Sequence, residues 1–156
     1  MTNFLKKIKF VAGIDYSLTS PAVCVAEIID NEIKFENCKF HFLKQNKSHK
    51  SLSKIFAYDY PEYTDDIERF SKLASWTIEC IRWYDGRVNK VYLEDYAFAA
   101  TGRVFNIGEN TGILKKQLKE AGFKYVTIPP TVIKKHATGK DRKSTRLNSS
   151  HVLTSY

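Results

Sequence analysis

The chain has 156 residues, of which 43% are hydrophobic and 13% aromatic, and its formal net charge is +8. This length and composition suit one domain with an apolar core and exclude an intrinsically disordered chain. No apolar run approaches the roughly 18 residues of a membrane span, and Asp15 interrupts the apolar segment that a signal peptide would need. We therefore expect a soluble, cytoplasmic protein.

The positive charge is concentrated near the C-terminal end. Residues 115–140 contain seven lysines and a single acidic residue, Glu120. Such a cluster favours a polyanionic partner, although a solvated helix face would have the same composition. The three cysteines form no close pair, which argues against a disulfide framework and against a cysteine-rich zinc site.

The first part of the chain has the pattern of an antiparallel meander. Apolar alternation predicts strands over residues 7–14 and 32–43, and an apolar, β-branched run predicts another over 22–29. Turn-forming residues separate the first two strands, and Asp30-Asn31 predicts a hairpin turn between the last two. Residues 44–63 are polar and then aromatic without a clear period, which predicts a long loop.

The second part alternates helices with strands. Asp65 and Glu68 have capping-box spacing, and apolar residues continue at helical spacing to Ile81, with Asp85-Gly86 as the stop. A strand over 88–93, a helix over 110–121 and a strand over 123–128 follow. Pro130 suits the first turn of a third helix, predicted from Thr131 to about Thr138. The order β-β-β-α-β-α-β-α predicts an α/β fold with a mixed five-stranded sheet flanked by helices.

The last residues differ in composition from the rest. Residues 141–156 are rich in Ser, Thr, Arg and Asn, and the string over 141–151 resembles a translated sequencing adaptor. We therefore expect one domain over residues 1–140, with its last helix incomplete, and a non-native or disordered tail over 141–156.

Acidic residues follow two of the predicted strands. Asp15 ends the first strand, and Glu94 and Asp95 end the fourth. If these strands are parallel neighbours, Asp15 and Glu94 share one edge of the sheet, where two carboxylates repel unless a cation lies between them. A divalent cation such as Mg²⁺ takes oxygen ligands of this kind. The alternative is ordinary turn chemistry for Asp15 and a solvated Glu94.

Four motifs in order resemble the RuvC-like Holliday-junction resolvases, particularly those encoded by phages. The motifs cover residues 13–21 (GIDYSLTSP), 93–98 (LEDYAF), 104–115 (VFNIGENTGILK) and 129–140 (PPTVIKKHATGK). The resemblance implies a ribonuclease-H-like fold, Mg²⁺ or Mn²⁺, and a homodimer that hydrolyses phosphodiesters of branched DNA. For a phage protein it also implies the host cytoplasm.

The resemblance carries two residues over as catalytic metal ligands, Asp15 and Glu94. Asp95 stands where the family usually has a small residue, so we do not expect it to be a ligand. The family supplies further acidic ligands from a last helix beyond residue 140, and Asp141 belongs to the divergent tail. We therefore expect this chain to hold an incomplete site and to be inactive or nearly so.

The same resemblance favours DNA as the partner of the lysine cluster. Lys134, Lys135, Lys140 and Arg103 are the predicted contacts to nucleic acid. Aromatic residues nearby could stack on unpaired bases or belong to the core; they are Tyr96, Phe98 and Phe105, with Tyr58, Tyr60 and Tyr63 in the predicted long loop.

Two other functions stay open at this stage. The turn Ile14-Asp15-Tyr16-Ser17-Leu18-Thr19 also resembles the phosphate-binding turn of actin-like ATPases and sugar kinases, which need a second comparable domain. A non-catalytic DNA-binding module is the other alternative. ATP binding would distinguish the first, and metal-independent junction binding would fit the second.

Overall fold

A computed structural model describes residues 9–44, 46, 48–84, 88–95 and 104–139. Six strands lie in this part of the chain: β1 (Lys9–Asp15), β2 (Ala22–Ile28), β3 (Cys38–Lys44), β4 (Ile55–Asp59), β5 (Val88–Glu94) and β6 (Tyr125–Ile128). Three α-helices accompany them: α1 (Asp66–Arg82), α2 (Val104–Glu120) and α3 (Pro130–Thr138). The predicted tail, and Lys140 before it, lie outside the described residues.

The strands form one mixed sheet in the order β4-β3-β2-β1-β5-β6. Strands β1, β2 and β3 are antiparallel, as the meander pattern predicts. Strand β5 pairs in parallel with β1 on one side and with β6 on the other, and β4 pairs in parallel with β3. The predicted α/β class, with a mixed sheet and flanking helices, is confirmed.

The predicted count of five strands is wrong, because β4 lies inside the segment predicted to be a loop. The side chains of Ile55, Phe56, Ala57 and Tyr58 are all half-buried, so the strand has no alternation between an apolar and a polar face. It pairs in parallel with β3, and at the end of this pairing Lys44 and Asp59 form an ion pair of 2.7 Å. A strand without contrast between its faces gives no period to detect.

Two predicted boundaries also shift. Strand β3 begins at Cys38 instead of residue 32, and a 3-10 turn occupies Phe35–Asn37. The side chains of Ile33 and Phe35 are 55% and 73% exposed, so the alternation over 32–36 does not mark a buried face. Helix α2 begins at Val104 instead of Asn110. The glycine at 108 weakens the helical pattern of its first turns.

Local signals fix the other elements as predicted. Asp30 and Asn31 both have positive φ, as a tight two-residue hairpin turn requires, and Ile29 bridges to Glu32 across it. At the start of α1 the Asp65 carboxylate accepts a hydrogen bond of 2.8 Å from the Glu68 amide. The Glu68 carboxylate accepts from Thr64, one residue before the cap. The predicted stop at 85–86 lies outside the described residues.

The core lies between one face of the sheet and helices α1 and α2. It is built from alternate residues of the central strands and from the inner faces of the two helices: Ala12, Ile14, Val23, Val25, Val91, Leu93, Ala74, Ile78, Ile81, Leu114 and Leu118. Because side chains alternate along a strand, Gly13 and Tyr92 point to the opposite, half-exposed face. In the described part of the chain, no helix is long and apolar enough to cross a membrane.

A buried histidine organises the β3-β4 side of this core. His41 is fully buried, and its two ring nitrogens each lie 2.9 Å from a tyrosine hydroxyl, that of Tyr58 and that of Tyr84. Its ring stacks on Phe56 and meets the edge of Trp83. Burial, with a smaller contribution from the charge of Lys39, lowers the pKa of His41 to about 4. Histidine is therefore neutral here, with one nitrogen donating and the other accepting.

This histidine should make the fold sensitive to mild acid. In the unfolded chain its pKa is near 6.5, so between pH 6.5 and about 4 the unfolded chain binds a proton that the folded chain does not. Stability falls as the pH is lowered through that window, by about 1 to 3 kcal/mol from this group. We expect His41→Gln to lose less stability than the wild type between pH 7 and 4 in urea denaturation. His49→Gln, at an exposed histidine, is the matched control and should follow the wild type.

Candidate active site

The two predicted acidic residues lie side by side. The parallel pairing of β1 and β5 places Ile14 opposite Leu93, and Asp15 and Glu94 are the next residue of each strand. Both carboxylates therefore stand at the carboxyl edge of neighbouring strands. The apolar pair Ile14 and Leu93, buried beneath them, holds the two strand ends in place.

The electrostatics show that the two carboxylates interact. Partial desolvation raises the pKa of Asp15, although the residue keeps much of its surface exposed. The pKa of Glu94 is raised first by burial and then by the negative charge of Asp15, while the positive charge of Lys134 opposes this. Two carboxylates with raised pKa values gain from a cation that lies between them.

A cavity of about 420 Å³ opens beside this pair. Its lining comes from the loop after β1, the end of β5, helix α2 and the first turns of α3: Asp15, Tyr16, Ser17, Leu18, Glu94, Asp95, Ile107, Asn110, Thr111, Pro130 and Lys134. We call this the acidic cavity. A second, apolar cavity of about 450 Å³ lies on the half-exposed face of the sheet and also reaches Asp15 and Glu94.

The structure places the other predicted residues at different distances from this cavity. Lys134 lines it, and the neighbouring Lys135 is exposed on α3. Asp95 faces Lys115 at 3.8 Å, and its backbone amide donates to the Ile128 carbonyl. Lys140 and Arg103 lie outside the described residues, as do Tyr96 and Phe98.

The predicted aromatic residues divide into buried and exposed sets. Phe105 is 86% exposed, so the core interpretation is wrong for it. Tyr58 belongs to the His41 cluster, and the Tyr60 hydroxyl donates to the Leu18 carbonyl. Tyr63 is 45% exposed, and its ring meets that of Tyr60.

A clamp that the sequence does not reveal holds the loop after Asp15. Arg69 of α1 donates from Nη2 to the Leu18 carbonyl at 2.7 Å and from Nε to the Tyr60 hydroxyl at 2.8 Å. Its guanidinium also lies 5.6 Å and 5.0 Å from the ring centres of Tyr60 and Tyr63. Within the loop, the Ser17 hydroxyl accepts from the Ser20 amide. The partners of Arg69 are distant in sequence, so no short motif marks them.

Loss of the Arg69 contacts should loosen the loop that follows Asp15. Arg69→Met removes two hydrogen bonds from a charged donor, so we expect the free energy of unfolding to fall by about 1 to 3 kcal/mol. Amide exchange at residues 17–20 should accelerate more than in the core. Lys72→Met, on the same helix, removes an exposed ion pair with Glu68 and an exposed hydrogen bond to the Glu62 carbonyl, and should cost less than about 1 kcal/mol. Equal effects of the two substitutions would contradict a specific clamp.

The residues present fit a hard divalent cation in their chemistry, though not as a complete ligand set. Among the described residues there is no group of three or more His, Cys, Asp or Glu side chains that could hold a metal ion. The acidic cavity nevertheless offers two interacting carboxylates, and the buried Oδ1 of Asn110, which also lines it, has no hydrogen-bond partner. Oxygen donors of this kind suit Mg²⁺ or Mn²⁺.

The coupling between the two carboxylates can be measured directly. Asp15→Asn removes the negative charge beside Glu94, so the pKa of Glu94 should fall towards its ordinary value. Lys134→Met removes the opposing positive charge, so the same pKa should rise. Carbon-detected NMR titration of the Glu94 carboxyl would follow both changes, with Lys116→Met, distant from the site on α2, as the charge-matched control for Lys134. A Glu94 pKa that is the same in all variants would contradict the described juxtaposition.

Comparisons with known proteins give a fold and no closer relationship. No protein-family model matches the chain, and no curated protein matches it. The structure of RuvC from Thermus thermophilus aligns over 87% of this chain and 73% of that chain, with a TM-score of 0.56 at 18% identity. T. thermophilus RuvC in complex with a Holliday junction substrate aligns over 86% and 73%, with a TM-score of 0.53 at 16% identity.

These likenesses establish the fold. The chain has the ribonuclease-H-like architecture of RuvC, which confirms the fold that the motif resemblance implies. A Ppx/GppA family protein from Aquifex aeolicus aligns with a TM-score of 0.41 at 16% identity, over 80% of this chain and 36% of that chain, a likeness too weak to indicate a common fold.

Proposed function

We propose that this chain is the nuclease domain of a RuvC-like resolvase, a metal-dependent endonuclease that hydrolyses phosphodiesters in Holliday junctions or other branched DNA. The observation that carries the proposal is the placement of Asp15 and Glu94 side by side at the carboxyl edge of β1 and β5, in a RuvC-like fold. The described residues that the proposal assigns to metal or DNA binding, Asp15, Glu94, Lys134 and Lys135, all lie in the sequence motifs.

Asp15 and Glu94 would hold Mg²⁺ or Mn²⁺. When bound, the ion activates a water nucleophile and stabilises the leaving oxygen of a phosphodiester. The chain's own contribution is to keep two carboxylates close together on a rigid, apolar base. Burial raises the pKa of both residues and the charge of Asp15 raises that of Glu94 further, and a cation between the two carboxylates would relieve this repulsion.

DNA is the proposed substrate because positive charge borders the acidic cavity. Lys134 lines the cavity and Lys135 is exposed beside it on α3, so a phosphate brought to the carboxylates would meet cationic side chains. The solved complex of RuvC from T. thermophilus with a Holliday junction substrate supports branched DNA as the partner. Lys140 and Arg103 are also proposed to contact DNA; they lie outside the described residues, so only the sequence supports them.

The proposed site has two acidic ligands, Asp15 and Glu94, and the family resemblance implies further ones. We therefore propose that the 156-residue chain binds branched DNA but cleaves it weakly or not at all. Cleavage in Mg²⁺ or Mn²⁺ as efficient as that of a complete resolvase would contradict this expectation while supporting the nuclease assignment; Asp15→Asn should then abolish it.

The binding proposal can be tested by fluorescence anisotropy with a four-way junction and a linear duplex of matched sequence. We expect tighter binding to the junction. The double variant Lys134→Ala/Lys135→Ala should weaken junction binding by about tenfold and reduce the slope of log K against log salt by about 1 to 2.

The charge-matched control is Lys116→Ala/Lys119→Ala, at exposed positions of α2 where Lys116 pairs with Glu120. This variant should bind the junction almost as the wild type does. Equal losses in the two double variants would show that net charge alone is responsible. Equal affinity of the wild type for junction and duplex would overturn branched DNA as the substrate.

A further inference from the structure

Asn110, a buried residue that lines the acidic cavity, has a side-chain oxygen without a hydrogen-bond partner. Asn110 lies in the interior of α2, is 1% exposed and lines the cavity beside Asp15 and Glu94. Its Oδ1 atom is buried and has no hydrogen-bond partner. A buried acceptor that is left unpaired destabilises a fold, so each such atom needs an explanation.

The cost of Asn110 is not offset by helix formation. Asparagine is a poor residue for a helix interior, so the position is unfavourable for the backbone as well as for the side chain. Within the described residues, three buried side-chain polar atoms have no partner, and two of them belong to residues that line the acidic cavity, Tyr16 and Asn110. Such local conflicts concentrate where a fold serves a function.

The chemistry of the unpaired atom restricts the missing partner. An amide oxygen only accepts hydrogen bonds or binds cations, so a phosphate oxygen cannot satisfy it. Asp15 and Glu94, which line the same cavity, repel an anion there. A hydrated divalent cation satisfies all three groups, because it attracts the carboxylates and its polarised waters donate hydrogen bonds.

We infer that Asn110 is a further cation-binding residue, whose Oδ1 serves the divalent cation of the acidic cavity either as a ligand or as an acceptor from its bound water. The inference rests on the proposed function, since it assigns a third oxygen to the ion that Asp15 and Glu94 would hold. It places that oxygen on a helix that is packed against α1 and so is fixed before the ion arrives.

The test combines metal affinity with the stability of the metal-free protein. Asn110→Leu has a similar shape and removes the unpaired oxygen, so the metal-free full-length chain should melt about 2 to 4 °C higher than the wild type. The same substitution should weaken Mn²⁺ binding by about tenfold in isothermal titration calorimetry. A gain in stability joined to a loss of affinity is the expected signature.

Two further variants control for packing and for the oxygen itself. Asn110→Asp keeps an oxygen at the position, so it should retain or tighten Mn²⁺ binding while lowering metal-free stability through a third negative charge. Asn106→Leu removes an amide from the same helix, where it bonds to Asp66 outside the acidic cavity, and should leave Mn²⁺ affinity unchanged.

The outcomes separate the two proposals. If the wild type binds Mn²⁺, Asp15→Asn abolishes that binding, and Asn110→Leu binds as the wild type does, the assignment of Asn110 is overturned and the proposed metal site stands. If Asn110→Leu lowers the metal-free melting temperature, the amide is a structural group and the assignment is overturned as well. A wild-type chain that binds no Mn²⁺ overturns the metal site and the assignment together.

Discussion

The parallel pairing of β1 with β5 is the constraint on which the site depends. It sets Asp15 next to Glu94, and it does so because the preceding residues Ile14 and Leu93 are buried under the helices. The two carboxylates repel each other, but the apolar pair below them cannot separate without exposing the core. The hydrophobic effect thus keeps two like charges together. Burial raises the pKa of both carboxylates, and the charge of Asp15 raises that of Glu94 further.

Two buried polar side chains, His41 and Asn110, differ in whether their hydrogen bonds are satisfied. His41 is fully buried, and both ring nitrogens have tyrosine partners, so that cluster is complete within the chain and serves stability. Asn110 is almost as buried, yet its Oδ1 has no hydrogen-bond partner, and the charge of Lys134 only partly opposes the raised pKa of Glu94. This contrast supports the proposal that the acidic cavity binds a ligand.

The sequence predicted most of the fold because its signals were local. The predicted bounds of β1, β2 and β5 are right to within two residues, Asp65 caps α1, and α3 begins one residue before its predicted start. Strand β4 escaped because its residues are half-buried on both faces. The clamp of Arg69 escaped for a different reason: its partners Leu18 and Tyr60 are distant in sequence and share no motif with it. Asn110 gives no signal in the sequence, because a polar residue of a helix is usually exposed and only the structure shows that this one is buried.

Fold likeness at 18% identity cannot by itself separate a nuclease from other proteins of similar architecture. The chemistry of the acidic cavity is more discriminating. The lining of the acidic cavity combines Asp15, Glu94 and Asp95 with Asn110 and the cationic Lys134. A phosphate that approaches Asp15 and Glu94 is repelled less when a divalent cation lies between them. The proposed metal-dependent hydrolysis of phosphodiesters would meet that condition with carboxylates of β1 and β5.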